Sequence, residues 1–191
     1  MIRLDQPKSL SNMREFRERY CSLTKEEPSG VKSVLRYQQV RDMQPKGSRG
    51  AWKNAPSMKI EHGVNFLSGN YTCEELRGSP AAADRTNKLM TGGGYRFDRV
   101  AAELIRIAGG ESSHIDELND LEELERTYFS RSPAFPSVII HYRDKNGEPL
   151  QIKFLPPQAE LRVNPAQRIE SVEVVGDVFG VIAYALRLID D

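Results

Sequence analysis

Cysteine occurs twice in the 191 residues, tryptophan once and histidine three times, and no apolar run approaches the roughly 20 residues that a membrane helix requires. Cys21 and Cys73 form no CxxC pair and no zinc spacing, which argues against a disulfide framework and for free thiols in a reducing compartment. His62, His114 and His141 stand apart, without HxxxH or paired-carboxylate spacing, so no metal site is expected. The longest apolar stretch, Val178 to Ile189, is interrupted by Gly180 and carries Arg187. No apolar segment follows the charged start Met1 to Lys8, so export is not expected, and the reading is of a soluble, cytoplasmic protein without membrane partners. No repeat and no low-complexity tract occurs. Thr91-Gly92-Gly93-Gly94 lacks the lysine of a P-loop and follows no expected strand, so no cofactor is expected either.

Net charge is also absent, with 27 Lys+Arg against 27 Asp+Glu, yet the charges are sorted along the chain. Residues 1 to 56 hold 12 Lys+Arg and 6 Asp+Glu, a net of +6, whereas residues 111 to 191 hold 8 and 15, a net of −7. A basic front and an acidic back can attract each other within one fold, attract another copy, or bind an oppositely charged partner.

Local signals predict helices first. Asn12 and Glu15 make a capping box ahead of Met13, Phe16, Tyr20 and Leu23, one helical face that ends before Pro28. A second helix is expected from Val31 to Met43, although Leu35, Tyr37 and Gln39 also alternate as a strand would. Residues 44 to 70 read as a long irregular region with short strands or buried turns near 58–60 and 64–67, and long loops are frequent binding surfaces. Thr72 and Glu75 suggest a second capping box, placing Cys73 at a helix start. Ser79-Pro80 opens another helix, and Phe97 to Ala108 carries the best apolar stripe in the chain. A last helix is expected from Ser113, with Ile115, Leu118, Leu121, Leu124 and Tyr128 inward and the acids from Asp116 to Glu125 outward.

After Pro136 the period changes to two. Ser137 to Arg143 and Leu150 to Phe154 flank a bulged turn at Asp144 to Gly147, in a register that pairs His141 with Gln151. Ile169 to Val175 and Val178 to Ile189 suggest a second hairpin about Gly176-Asp177. The expectation is one α+β domain over 1–191, helical and loop-rich over 1–132, packed on an antiparallel sheet of four to five strands within 136–191.

The functional reading is of a non-catalytic protein that binds a macromolecular partner, protein or nucleic acid, through its basic N-terminal surface and the 44–70 loop. The residues that carry it are Arg14, Arg17, Lys46, Arg49, Trp52 and Lys53, supported by Arg19, Lys32, Arg36 and Arg41, since cations neutralise phosphates and an exposed indole stacks on bases. An alternative is a cysteine-dependent hydrolase, deamidase or transferase. In it a helix start would acidify Cys73, His141 would take its proton and Gln151 would orient the ring. A third reading, suggested by the oppositely charged ends, is a subunit of a homo-oligomer.

Overall fold

The computed structural model describes residues 10–46, 55–156 and 170–189. Among them, six helices and a four-stranded antiparallel sheet form an α+β arrangement, with helices N-terminal and central. Helix α1 (Met13–Thr24) begins at the expected capping box: Asn12 Oδ1 accepts from Glu15 N at 3.1 Å, and Glu15 Oε2 accepts from Asn12 N at 3.1 Å. Helix α2 (Pro28–Val40) resolves the helix-or-strand ambiguity through packing, because Val31, Val34, Leu35 and Gln38 are buried together on one face.

Helix α3 (Ile60–Thr72) overturns the expectation of an irregular region up to residue 70. Gly63 and Gly69 read as chain breakers, but they are points of close approach. A Cβ at Gly63 would lie 2.7 Å from Ile182 Cγ2, and one at Gly69 would overlap the Gln38 amide and the Ser79 hydroxyl. Small size at these two positions lets α3 sit against its neighbours, which outweighs glycine's poor helix propensity. Thr72 is therefore the last residue of a helix, its hydroxyl turned back to the Ser68 carbonyl at 2.5 Å. A 3-10 turn at Leu76–Gly78 leads into α4 (Ser79–Asn87), and α5 (Phe97–Ala108) spans its expected residues.

Gln38 of α2 donates to Asn65 O (2.6 Å) and Ser79 Oγ (3.0 Å), and Ser68 donates to Asn87 Oδ1 (2.6 Å). These buried bonds, each costly to leave unmade, fix how α2, α3 and α4 slide against one another. On α5, Glu103 is buried. Burial opposes its ionisation, but the His114 backbone N–H (2.8 Å), the His114 ring and Arg106 (2.6 Å) outweigh that and hold the carboxyl below the ordinary range.

The helix expected from Ser113 is a single 3-10 turn at Asp116–Leu118, after which the chain runs as strand β1 (Leu121–Ser130). Two register shifts, between Leu121 and Glu123 and between Leu124 and Arg126, place the leucines three apart and so imitate a helical stripe. The acids after residue 119 thus lie on or beside a strand. Strands β2 (Val138–Asp144) and β3 (Pro149–Phe154) form the hairpin in the expected register, with His141 opposite Gln151 and Gly147 at φ +80.

Strand β4 (Ser171–Val175) pairs with β1, giving the order β3-β2-β1-β4. The segment expected as its hairpin partner is instead helix α6 (Val178–Ala185), capped where Asp177 Oδ1 accepts from Gly180 N at 2.8 Å. An all-apolar run suits a buried helix as well as a buried strand. Here Phe179, Ile182, Ala183 and Ala185 have no exposure at all. The helical layer covers the sheet face of Phe129, Val138, Ile140 and Phe154, with Tyr71 stacked on Phe129 at 5.2 Å. The other face carries Arg126, Tyr128, His141 and Gln151.

Candidate binding surface

The sequence singles out a thiol, an imidazole and an amide, and the structure brings two of them together. His141 and Gln151 are cross-strand neighbours on the sheet face turned from the helices, where the His141 ring meets Tyr128 edge-on at 5.4 Å. Cys73 belongs to the helical side, as the C-cap of α3. A helix C-terminus presents the negative end of the dipole, the reverse of what stabilises a thiolate. The thiol is 6% exposed and directs its hydrogen bond to the Asn70 carbonyl at 3.9 Å. Burial pushes its pKa up, and the charge of Arg131 only partly offsets that. The thiol is thus not acidified by its helix, and it lies in the helical layer while His141 and Gln151 lie on the opposite sheet face.

Of the predicted cationic residues, Arg14 is exposed but donates to Glu18 at 2.8 Å, and Lys46 is paired with Asp42. Arg17 is half-buried on α1. Arg19 lies over the Tyr184 ring at 3.9 Å and donates to the Tyr184 carbonyl, so it fastens α1 to α6. Arg49, Trp52 and Lys53 lie outside the described residues.

Of the cations that the sequence singles out, Lys32, Arg36 and Arg41, on α2 and its C-cap, are the exposed ones without an ion-pair partner among the described residues. The inward positions Val31, Val34, Leu35 and Gln38 of α2 dictate by 3.6-residue periodicity that Lys32, Arg36, Tyr37, Val40 and Arg41 point outward, and all five are exposed. No carboxylate occurs from Pro28 to Arg41, and none of the three cations has an ion-pair partner among the described residues. Tyr37 is 42% exposed and Val40 70%, both large apolar surfaces for a helix side facing water. The missing carboxylates were visible in the sequence. Tyr37 and Val40 were not legible as surface residues, because the alternative strand pattern left their facing open.

Among the described residues, no group of three His, Cys, Asp or Glu side chains could hold a metal ion, and no helix is long and apolar enough to cross a membrane. Comparison with protein-family models, curated proteins and solved structures finds no match.

Proposed function

We propose that this protein is a non-catalytic binding protein whose α2 surface docks an acidic partner protein. The observation that supports the reading is the outward stripe of α2 and its C-cap, three cations without an ion-pair partner among the described residues, interleaved with Tyr37 and Val40 and free of any carboxylate. Exposed ion pairs contribute little each, on the order of 0.2–1 kcal/mol, so affinity would come from covering Tyr37 and Val40 while the cations steer and orient the approach. A protein fits better than a nucleic acid, because phosphates gain nothing from Val40 and because Lys46 already has a carboxylate. A cytoplasmic setting belongs to the same reading and rests on the two unpaired thiols.

The test is photo-crosslinking from position 37 in cells that natively make the protein, with exposed Lys88, the C-cap of α4, as the control position. The reading expects a crosslinked protein whose captured peptide is rich in Asp and Glu. Its yield should fall at least about tenfold in K32E/R36E/R41E and with added salt, as charge-steered association does. Crosslinking no stronger than from position 88, or crosslinking to nucleic acid, would refute it.

A further inference from the structure

Among the described residues, strand β4 is an edge of the sheet with hydrogen-bonding groups open on its outer side. Its ladder with β1 is bounded by Gly176 N to Glu125 O at 2.7 Å and Arg131 N to Glu170 O at 2.8 Å, so Val172 and Val174 exchange bonds with β1. The alternation of an antiparallel pair then turns the N–H and C=O of Ser171, Glu173 and Val175 the other way. None of them has a backbone partner among the described residues. Natural edge strands are commonly guarded by lysine or proline. The opposite edge follows that rule, since β3 starts at Pro149, carries Lys153 and runs on to Pro156. Strand β4 has neither, and its last residue, Val175, is 76% exposed.

A groove of about 380 Å³ runs beside this edge, between β4, the end of α1 and α6. Leu23, Val172, Val174 and Val181 give it an apolar wall, and Glu26 and Tyr71 give it a polar one. Glu26 accepts from Tyr20 OH at 2.7 Å, from Tyr71 OH at 3.4 Å and from Asn70 Nδ2 at 3.3 Å, yet no cation among the described residues pairs with it. Burial first, with Glu26 adding to it, pushes the Tyr71 hydroxyl up to about 12, so it stays a neutral donor at physiological pH. The charged residues of the lining, Glu26, Glu173 and Asp177, are all acidic, and of these Glu173 pairs with Arg126 at 3.0 Å.

We propose that the β4 edge and this groove receive an extended, basic and apolar segment of a partner protein, which adds as a fifth strand and places a Lys or Arg against Glu26. Added strands draw affinity from main-chain bonds and specificity from pockets for alternate side chains. Here every second side chain of the incoming strand would enter the groove, where apolar surface and the Glu26 carboxylate await it. A second copy of this chain is the poorer occupant, because two β4 strands paired about their middle would set Glu173 against Glu173. No residue is shared with the α2 stripe, so this proposal stands or falls separately.

The experiment is a titration of the full chain with acetyl-KVRVTVK-amide, followed by amide NMR and hydrogen exchange, beside the acidic counterpart acetyl-EVEVTVE-amide. The proposal expects the Ser171, Glu173 and Val175 amides to shift and gain protection with the basic peptide only. It expects Val175→Lys, a change at an exposed side chain, and separately Glu26→Gln to weaken binding at least about tenfold. That loss corresponds to about 1.4 kcal/mol. No protection at about 1 mM peptide, where binding near −4 kcal/mol would register, overturns it. So does an equal response to the acidic peptide. Protection of the same amides without peptide that rises with protein concentration overturns it in favour of self-pairing.

Discussion

Thr127 shows how a single buried atom sets an expectation. It lies at the middle of β1 with no exposure, on the face that packs against the helices, and its Oγ1 has no hydrogen-bond partner among the described residues. A buried hydroxyl without a partner forfeits its hydration, at a cost of about 1–3 kcal/mol. Valine has nearly the same shape and the same β-branch, and it suits a strand at least as well. Thr127→Val is therefore expected to stabilise the fold by about 1 kcal/mol or more, read as a higher denaturant midpoint at unchanged m-value. A midpoint that falls would mean the hydroxyl has a partner that matters. The same scale explains why Cys73 misled the sequence reading. Thr72-Cys73-Glu74-Glu75 has the spacing of an N-terminal box, but Thr72 closes its hydrogen bond backward to Ser68, so the thiol terminates a helix instead of opening one.

Among the elements, those whose pattern and packing agree were legible. The α5 stripe and the β2–β3 register both follow from side chains that share one buried face. Three elements were hidden, each by a different competing effect: β1 by the register shifts that gave it helical spacing, α6 by an apolar run with no polar phase, and α3 by two glycines. The glycines make the sharpest test, since helix propensity and packing predict opposite outcomes. In an exposed helix Gly→Ala stabilises by about 0.5–1 kcal/mol. At Gly69 the added methyl would overlap the Gln38 amide and Ser79 Oγ and come within 2.8 Å of the Ser79 carbonyl. Gly69→Ala should thus destabilise by about 2 kcal/mol or more, as overpacking and a broken buried hydrogen bond combine. Chemical denaturation decides between them, and a stabilised variant would show that α3 does not approach α2 and α4 so closely.

For the molecule as a whole, the basic front and acidic back of the sequence suggested two halves joined by charge, whereas the structure joins the front to the back through buried atoms. Ser11 Oγ donates to Ala185 O at 2.7 Å, Ser11 N donates to Leu186 O at 3.3 Å, and Arg19 Nε donates to Tyr184 O at 2.8 Å. Helix α6 thereby seats α1, while Ile182 and Leu186 fill the space left by Gly63 and Phe179 lies wholly inside the core. Truncating one buried large apolar side chain costs about 2–5 kcal/mol, and a domain holds only about 5–15 kcal/mol in total. Loss of Val178, Phe179, Ile182 and Leu186 together, about 8–20 kcal/mol, is as large as that whole margin. A chain ending at Asp177 is expected to lack near-ultraviolet circular dichroism and a cooperative thermal transition, and to regain both when a peptide of residues 177–189 is supplied. A sheet stapled to the helices mainly by charge would instead leave the shortened chain folded at low salt and lose its transition only as salt is raised.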